Sequence, residues 1–521
     1  MHSLSDARIL GDITRFYARV QPDKKALIFE NTTLPYKQLN SRINQAAHSL
    51  LAMGVKPDER VCYLGKNTLC YFELLLALSK VGAVMVPLNW RLSAAELASI
   101  IRNAKARIVF GTREFAEVMG EVRNTTDTDS LEWVSVEDYD RLIAEQLTSE
   151  PSSLAGYESD VLQLYTSGTT GQPKGVRISN RALLSGRARE SHPDTPAWNK
   201  WHRDDISLIA MPCFHIGGTG FGLNTLYSGA TGVIVKQFVA TQQLEVMAQY
   251  GVSKLFIVPS ALRTLLDDPR LGESDLSALK YISYGASPIP MDLMVECVDA
   301  FGCGFVQKYG MTETSGTCVA LGPEDHTIPE NPKMKSVGKP LAGVQIRIVD
   351  EAGVELPAGE IGEIIIKSDT NMSGYWDNEE ATREATYAEG WLRTGDAGYL
   401  DHEGYLTIQD RIKDMIVSGG ENVYSAEVEA ALKENEDIAE VAVIGIPDEK
   451  WGEAVKACVV LKSGARQDEA AIIADCRTRI AAYKTPKSID FIEQLPRNAA
   501  GKILKAELRS RYWRDSDRQV N

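Results

Sequence analysis

A stretch of hydroxyl, glycine and lysine residues at positions 165–176 has the composition of a polyphosphate-binding loop. It reads Tyr-Thr-Ser-Gly-Thr-Thr-Gly-Gln-Pro-Lys-Gly-Val and follows a short apolar run at 161–164. Glycines let the backbone turn tightly and bring its N–H groups close to a ligand, where hydroxyls and one ammonium add further donors. The candidate phosphate ligands are Thr166, Ser167, Gly168, Thr169, Thr170 and Lys174. The Gly-Lys-Ser/Thr end of a Walker loop is missing, which excludes a P-loop kinase. The alternative to a phosphate-binding loop is a flexible Ser/Thr/Gly connector without a ligand.

A second stretch, Gln-Lys-Tyr-Gly-Met-Thr-Glu-Thr at 307–314, combines groups that suit a nucleotide and its metal ion. The ring of Tyr309 can cover a purine face, and Gly310 allows close approach of the backbone. Thr312 offers a hydroxyl and an N–H to a phosphate, and Glu313 is a hard oxygen ligand suited to Mg²⁺. Taken alone, the octapeptide is equally compatible with a tight turn that carries an exposed acid.

Several further polar residues indicate a chemical role only when they are considered together with the other motifs. His215 lies in Met-Pro-Cys-Phe-His-Ile-Gly-Gly at 211–218, where a lone histidine is more often structural. Asp396 could accept both hydroxyls of a ribose, and Arg411 could add donors to sugar and phosphate, although an isolated pair of this kind favours a surface ion pair. Lys502 follows a glycine and would by itself be a solvated side chain.

Composition limits the classes of protein that this chain can belong to. It has 521 residues, a formal net charge of −15, 24% charged and 44% hydrophobic residues. A chain of this length predicts two or more domains, and its negative charge argues against nucleic acid or an anionic membrane as partner. The eight cysteines are scattered, which favours reduced, mostly buried thiols in a cytosolic protein. We expect no signal peptide, and the apolar window at 72–90 is interrupted by charged residues and proline, as in a buried helix and strand.

The elements that must position these motifs follow an α/β pattern. Strand-like and helix-like segments alternate from residue 24 to 110 and again from 206 to 284, which predicts mostly parallel sheets covered by helices. Residues 112–158 are polar and are expected to form a surface excursion. Between 338 and 366 short β segments with turn signals predict a small distorted β-barrel or antiparallel sheet. After residue 413 a compact α+β domain is expected.

The motifs resemble, in the same order, those of the adenylate-forming superfamily, which includes acyl-CoA synthetases, luciferases and peptide-synthetase adenylation domains. The resemblance covers residues 25 to 510 and is greatest with bacterial fatty acid–CoA ligases. It implies an N-terminal adenylation domain at 1–409, a hinge at 410–413 and a small mobile α+β domain at 414–521. It also implies ATP, Mg²⁺ and coenzyme A as cofactors.

Each site residue takes a role from this resemblance. The catalytic residues implied are Lys502, Thr166, Glu313 and His215, with Thr166 and Glu313 also binding the metal. Residues implied to contact ATP or coenzyme A are Thr166, Ser167, Gly168, Thr169, Thr170, Lys174, Gly285, Ala286, Gln307, Tyr309, Gly310, Thr312, Asp396, Arg411, Lys413, Gly419, Gly420 and Lys502. Those implied to contact the acid are His215, Ile216, Gly217, Ala286 and Met311. Tyr284 stands where a smaller residue is common in the family, which affects the expected shape of the pocket.

The absence of acidic residues in one segment narrows the range of carboxylic acids that can be the substrate. Segment 216–228 contains no Asp or Glu, so the ammonium of an amino acid would be buried without a partner. The apolar pocket candidates favour a medium- or long-chain fatty acid; an aromatic acid such as a hydroxycinnamate, or a steroid side-chain acid, remains open. Rival functions are an acyl-AMP ligase that loads a carrier protein, a luciferase-like oxygenase and a catalytically dead adenylate-binding protein. A cytoplasmic homodimer is the family expectation, without nucleic acid or integral membrane contact.

Overall fold

The structure is a computed structural model that describes residues 3–125, 131–152, 155–166, 173–190, 195–287, 289–326, 331–418, 421–448, 451–497 and 503–513. The chain divides into two compact units, one formed by Met1–Gln345 with Lys367–Leu392 and the other by Ile346–Ile366 with Arg393–Asn521. The second unit runs without interruption through residues 410–413. The hinge at these residues stays a prediction.

Helices and strands alternate along most of the chain and are numbered in chain order. The helices are α1 Gly11–Val20, α2 Tyr36–Ala52, α3 Leu69–Val81, α4 Ala94–Ala104, α5 Ala116–Thr125, α6 Tyr139–Ala144, α7 Asn180–Glu190, α8 Ile216–Tyr227, α9 Ala240–Tyr250, α10 Pro259–Leu266, α11 Met291–Phe301, α12 Glu379–Ala385, α13 Ser425–Lys433, α14 Glu469–Arg477 and α15 Lys505–Ser510. The strands are β1 Lys25–Phe29, β2 Thr32–Pro35, β3 Arg60–Leu64, β4 Val84–Leu88, β5 Ile108–Gly111, β6 Glu132–Ser135, β7 Asp160–Thr166, β8 Lys174–Ser179, β9 Ile206–Ile209, β10 Thr231–Ile234, β11 Lys254–Ile257, β12 Tyr281–Gly285, β13 Gly304–Met311, β14 Gly316–Leu321, β15 Lys339–Pro340, β16 Gln345–Val349, β17 Gly362–Lys367, β18 Gly374–Tyr375, β19 Thr386–Tyr387, β20 Trp391–Leu400, β21 Leu406–Arg411, β22 Ile416–Ser418, β23 Glu421–Val423, β24 Ile438–Asp448, β25 Gly452–Leu461 and β26 Ser488–Phe491.

Two large sheets form the first unit. One has the strand order β15-β14-β13-β12-β11-β9-β10-β1-β2 and the other β18-β8-β7-β4-β3-β5-β6. The central strands of both are parallel, as β3 with β4 and β5 and β12 with β11 and β13. Parallel sheets need cover on both faces, and their strands are correspondingly apolar and buried. The predicted α/β architecture is confirmed.

Helix α3 lies in the core of the first unit and contacts strands of both sheets. Each of its residues is buried, and its ends are defined by a side-chain cap at Thr68, which accepts from the Tyr71 N–H, and by Gly82 in the left-handed conformation. Because the helix is surrounded, its two charged residues need partners: Glu73 accepts from Arg42 at 2.5 Å, and Lys80 donates to Glu150 at 2.8 Å. The apolar window is thus a core helix and strand, and the described helices include none with the length and apolarity that crossing a membrane requires.

The predicted surface excursion at 112–158 is wrong in part. Strand β6 pairs in parallel with β5 and extends the second sheet, and α5 buries Met119 and Val122. The ring of Trp133 occupies space that a Cβ on Gly111 would fill, so a glycine in one strand admits an aromatic ring from the next. Single apolar residues within a charged segment gave no periodic signal, and neighbouring strands supplied the pairing.

The second unit contains a small sheet and an α+β part, whereas the sequence had assigned the small sheet to the domain at 1–409. The small sheet includes β16, β17 and β20, with β21 antiparallel to β20. In the α+β part, strands β24 and β25 pair antiparallel over their length and β26 joins β25 in parallel. Helices α13 and α14 supply Val428, Leu432 and Ile472 to its core. All eight cysteines of the chain are free thiols, and every one but Cys303 is buried, which confirms the expectation for the thiols.

Candidate active site

The candidate phosphate loop is carried by a hairpin. Strands β7 and β8 are antiparallel, and Thr166 lies directly opposite Lys174 at the open end of the pair. The polar loop therefore leaves the sheet at the end of this ladder of hydrogen bonds, with its first hydroxyl and its lysine held by the strands. The remaining loop candidates, Ser167, Gly168, Thr169 and Thr170, lie outside the described residues.

The Tyr-Gly-Met-Thr-Glu segment is the end of β13 and the turn that follows it. A 3₁₀ turn at Thr312–Thr314 leads into β14, and the hydroxyl of Thr314 accepts from the Met311 N–H at 2.9 Å. A Cβ on Gly310 would overlap the carbonyl oxygen of Gly316 on the neighbouring strand. Close backbone approach is thus the reason for this glycine, and the turn holds Glu313 with only 7% of its surface exposed.

The two motifs lie side by side, which is the arrangement that the adenylation hypothesis required. Strand β18 pairs with β8, and the hydroxyl of Tyr375 donates to Oε1 of Glu313 at 2.9 Å. The ammonium of Lys174 lies 5.2 Å from the centre of the same ring. In addition, the Met372 N–H donates to the Glu313 carbonyl at 2.8 Å. One residue therefore links the lysine of the loop hairpin to the glutamate of the turn.

Sequence reasoning missed Tyr375. The only local signal was a glycine followed by two aromatic residues at 374–376, in a segment without periodicity. Its placement depends on a short antiparallel pairing between segments that are about two hundred residues apart in the chain. Such a pairing leaves no mark in the local pattern, because only two residues of β18 take part.

The Gly-Ala turn after β12 lies beside the same segment. Strand β12 runs parallel to β13 with Gly285 opposite Lys308, and a Cβ on Gly285 would overlap the Lys308 carbonyl oxygen. Ala286 follows in the left-handed region at φ 68°, which is uncommon for a residue with a side chain and is concentrated at functional turns. Both residues are therefore placed next to the strand that carries Gln307 and Tyr309, and their contacts with the nucleotide and the acid stay predictions.

Tyr284 belongs to the core, and its hydroxyl lies 3.4 Å from Oε1 of Gln307, a residue expected to contact the nucleotide. The side chain of Tyr284 is fully buried in the core beneath β12, and its hydroxyl also lies 2.9 Å from Nε2 of His326. Successive side chains of a strand point to opposite faces, so a large residue before Gly285 packs away from the Gly-Ala turn. The departure from the family pattern at this position therefore affects the core, and its effect on the shape of the pocket stays a prediction.

His215 precedes α8 and is kept neutral by its surroundings. Burial, and secondarily the positive charge of Arg91, lower the pKa of His215 to about 4. The ring of Phe214 lies 4.5 Å from the imidazole, centre to centre. Nε2 of His215 is buried and has no hydrogen-bond partner among the residues that the structure describes. A buried polar atom without a partner costs free energy, so this nitrogen is suited to meet a ligand.

The glycines that follow His215 have more than one reason to be there. A Cβ on Gly218 would overlap the carbonyl oxygens of residues 211 and 212, and one on Gly222 would overlap the ring of Phe72. These two glycines serve the packing of α8. At Gly217 a Cβ would lie 2.8 Å from the ring of Phe256, so this position borders an aromatic side chain. Its contact with the acid stays a prediction.

In the second unit, the two residues expected to bind the ribose form an ion pair, and their role toward the ribose stays a prediction. Asp396 and Arg411 lie opposite each other on β20 and β21, and Nε of Arg411 is 2.7 Å from Oδ1 of Asp396. Asp396 is 5% exposed, so the pair is more than a solvated surface contact. Lys413 belongs to a short 3₁₀ turn at Ile412–Asp414. Gly419, Gly420 and Lys502 lie outside the described residues.

The donor set fits a magnesium ion that shares its ligands with a nucleotide. Among the residues with a described placement, no group of three or more His, Cys, Asp or Glu could hold a metal by itself. Mg²⁺ commonly takes one or two carboxylates and completes its shell with water and phosphate oxygens. Glu313, held beside the stem of the phosphate loop, suits that mode of binding. Fold and site together define an adenylate-forming enzyme.

Comparison with known proteins agrees with this class. Residues 15–376 match the family model of AMP-binding enzymes, and residues 427–502 match that of the AMP-binding enzyme C-terminal domain. The chain belongs to the AMP-binding enzyme family. It is an AMP-forming carboxylic acid–CoA ligase that uses ATP, Mg²⁺ and coenzyme A.

Three similar proteins differ in their acid or acceptor. A fatty acid–[acyl-carrier-protein] ligase of Streptomyces coeruleorubidus is 39% identical over 98% of both chains. A feruloyl-CoA synthase of an Amycolatopsis species is 37% identical over 95% of this chain and 97% of its own length. The solved structure of a Mycobacterium tuberculosis fatty acyl-CoA synthetase is 33% identical, with a TM-score of 0.79 over 97% of this chain and 98% of that one. Relatives at this distance thus share the chemistry and differ in substrate.

Proposed function

We propose that this ligase activates a medium- or long-chain fatty acid. The observation that carries the proposal is the apolar surrounding of α8, next to His215. The ring of Phe221 on this helix lies 5.2 Å from Trp201 and 6.2 Å from Phe256, centre to centre. With no acidic residue between 216 and 228, these surroundings suit an alkyl chain and offer nothing to an ammonium.

In the first half-reaction, the acid carboxylate attacks the α-phosphorus of ATP and pyrophosphate leaves, giving an acyl-AMP. Negative charge gathers around phosphorus beside an anionic nucleophile, so positive charge and donors must already be in place. We assign Thr166 and Lys174 to the phosphates and Lys502 to the carboxylate and α-phosphate together. Glu313 holds Mg²⁺, which when bound offsets charge on the phosphate oxygens. Neutral His215 borders the acid carboxylate without adding charge.

Lys502→Ala tests the role assigned to this lysine. Loss of one preorganised donor costs about 10²–10³ in rate, so we expect acyl-AMP formation to slow by at least that factor. The readout is exchange of pyrophosphate into ATP in the presence of acid. Lys487→Ala, which changes an exposed lysine of the same unit, is the matched control. Adenylation by Lys502→Ala at the wild-type rate would refute the role.

In the second half-reaction, the thiol of coenzyme A attacks the acyl carbon and AMP leaves. We propose that the region after 413 rotates between the two steps and that Lys413 is the pivot, since gating by a hinged domain lets one pocket run two reactions. Lys413→Pro should spare acyl-AMP formation and stop thioester formation. Pyrophosphate exchange and acyl-CoA production, measured on the same preparation, separate the two steps. Equal loss of both would contradict the pivot.

The acid and its acceptor are tested together by a substrate panel. The purified chain receives ATP, Mg²⁺ and coenzyme A with saturated acids of six to eighteen carbons, hydroxycinnamates, benzoates or a steroid side-chain acid. We expect AMP and pyrophosphate release to be greatest with a medium- or long-chain fatty acid. A preference for an aromatic or steroid acid would overturn the acid assignment, and release of ADP would overturn the reaction.

A second candidate function, loading of a carrier protein, is favoured by the similarity to the Streptomyces fatty acid–[acyl-carrier-protein] ligase. Replacing coenzyme A by a phosphopantetheinylated carrier protein in the same assay distinguishes the two. Thioester on the carrier without thioester on free coenzyme A would support this second function. We further propose that the protein is a cytoplasmic homodimer, which light scattering of the purified chain and cell fractionation test.

Gly217→Ala tests whether the start of α8 borders the acyl chain. The added methyl would lie 2.8 Å from the Phe256 ring, which must shift. We expect the preferred chain length to shorten, with little change in the ATP requirement. Gly220→Ala on the same helix is the matched control, because its Cβ would meet only the guanidinium of Arg187 at 3.4 Å. An unchanged chain-length profile would place the acid elsewhere.

A further inference from the structure

The position of Tyr375 carries an inference about how the site is held ready for a metal–nucleotide pair. Its hydroxyl donates to Oε1 of Glu313 at 2.9 Å, and the ammonium of Lys174 lies 5.2 Å from its ring centre. The two contacts use different parts of one side chain. A hydroxyl is a neutral donor, and the face of an aromatic ring attracts a cation without cancelling its charge.

We propose that Tyr375 is a positioning residue that orients the metal-binding glutamate with its hydroxyl and the phosphate-binding lysine with its ring. This inference rests on the proposed roles of Glu313 and Lys174. By donating to Oε1, the hydroxyl fixes the orientation of the carboxylate without neutralising its charge. A direct ion pair between Lys174 and Glu313 would instead satisfy both charges before ATP arrives.

The described surroundings of Lys174 leave its charge available to a phosphate. In the described part of the chain, Lys174 forms no ion pair with a carboxylate, and the Tyr375 ring is its only aromatic contact. An aromatic ring is worth less to an ammonium than a carboxylate, about 0.5–1 kcal/mol where solvent has access. A phosphate can therefore take the lysine from the ring at small cost. The lysine is oriented without being neutralised.

Tyr375 is itself held by its neighbours in the chain and by α12. Its backbone N–H donates to Oγ1 of Thr382 at 2.9 Å, and Gly374 before it adopts φ 131°, a region that favours glycine. On the other side, the Trp376 N–H donates to the Gly175 carbonyl at 2.7 Å. Because neighbouring side chains of an extended segment point to opposite faces, anchoring Trp376 directs Tyr375 to the site.

Trp376 is anchored on that opposite face. The guanidinium of Arg60 lies 3.4 Å from its ring centre, and its indole N–H donates to the Asn103 carbonyl at 2.8 Å. Stacking of arginine on tryptophan is among the stronger cation–aromatic contacts. The segment is thus clamped behind the site, and this fixed position is what a positioning residue requires.

Two substitutions separate the two contacts. Tyr375→Phe keeps the ring and removes the hydroxyl, whereas Tyr375→Leu removes both. The direct readouts are ATP binding in EDTA by equilibrium dialysis and Mn²⁺ binding to the ATP complex by electron paramagnetic resonance, followed by the Mg²⁺ dependence of pyrophosphate exchange. For Tyr375→Phe we expect Mn²⁺ to bind about tenfold more weakly, as for loss of one hydrogen bond to a charged group, with metal-free ATP binding unchanged. Tyr375→Leu should weaken both.

The controls keep each outcome decisive. Tyr483→Phe changes an exposed tyrosine of the second unit whose ring also lies near a lysine ammonium, Lys484 at 5.7 Å, and should alter neither binding step. Thermal unfolding confirms that each variant is folded. The inference is wrong if Tyr375→Phe binds Mn²⁺ like the wild type, or if it weakens metal-free ATP binding as much as Tyr375→Leu. Glu313→Gln distinguishes failure of the proposed metal site from failure of the role of Tyr375. If Glu313→Gln leaves Mn²⁺ binding unchanged, Glu313 does not bind the metal and the inference about Tyr375 is wrong as well.

Discussion

The imidazole of His215, whose Nε2 is buried, makes the stability of this protein depend on pH in a way that one substitution can isolate. In the folded chain, burial and then Arg91 lower the pKa of His215 to about 4, compared with 6.5 for an unperturbed histidine. Between these values, the unfolded chain binds a proton at this ring and the folded chain does not. Acid therefore favours unfolding. The stabilisation is complete above the unfolded pKa and is lost as the pH falls from about 6.5 towards 4.

The magnitude follows from the two pKa values. From pH 7.5 to 5.0 the unfolded ring becomes almost fully protonated while about a tenth of the folded ring does, which amounts to about 2 kcal/mol of lost stability from this residue. His215→Gln keeps a polar side chain that cannot take up a proton. The difference in unfolding free energy between the two pH values should be smaller in this variant by about 2 kcal/mol.

The assay is urea unfolding of the wild type and variants at both pH values, followed by tryptophan fluorescence. His402→Gln is the control, because His402 is exposed in the turn at 401–404. A complementary measurement is the titration of the His215 ring by NMR. If His215→Gln loses as much stability on acidification as the wild type does, the imidazole is not kept neutral by burial and the reasoning fails.

Three further outcomes follow from the structure. Gly310→Ala should lower ATP affinity at least about tenfold, because the methyl would overlap the Gly316 carbonyl oxygen. The control Gly120→Ala, with open space around its Cβ, should be neutral or slightly stabilising. Isothermal calorimetry and thermal unfolding check this, and equal ATP affinity in both variants would contradict it. Glu150→Gln should cost about 1–3 kcal/mol in urea unfolding, since it removes the charged acceptor 2.8 Å from the buried Lys80 ammonium, and an unchanged unfolding midpoint would show that the pair contributes nothing. Chelation by EDTA should abolish AMP formation, and excess Mg²⁺ should restore it; activity that persists in EDTA would remove the metal from the scheme.

The relatives explain why class and substrate are reached by different arguments. Proteins 33–39% identical to this chain are named as enzymes of fatty acids or of feruloyl-CoA formation. Their names give either an acyl-carrier protein or coenzyme A as the acceptor. All of them need groups that bind ATP, because every such acid must first be joined to AMP. The residues that contact the acid share no such requirement, because the acid differs from one relative to the next.

Much of the fold and the reaction class could be predicted from the sequence because the signals are local. A run of hydroxyls and glycines before Lys174, and a tyrosine, threonine and glutamate ending at Glu313, suit a phosphate and a metal ion by residue type, and their order along the chain carries the family resemblance. The alternation of apolar strands and amphipathic helices likewise carries its period within each segment. Thus the sequence by itself determined the α/β architecture and the order of the motifs, and the family that the motifs resemble implied the nucleotide and the metal.

Only the tertiary structure decided how those parts meet. It brought Tyr375 against Glu313 through a two-residue strand pairing, turned Tyr284 into the core, and buried Asp396 beneath its arginine. It also made a strand of 132–135, where the sequence predicted a surface excursion. The physical reason is common to all four: strand order, the face a side chain takes and the depth of its burial are set by neighbours distant in the chain, which no local pattern records.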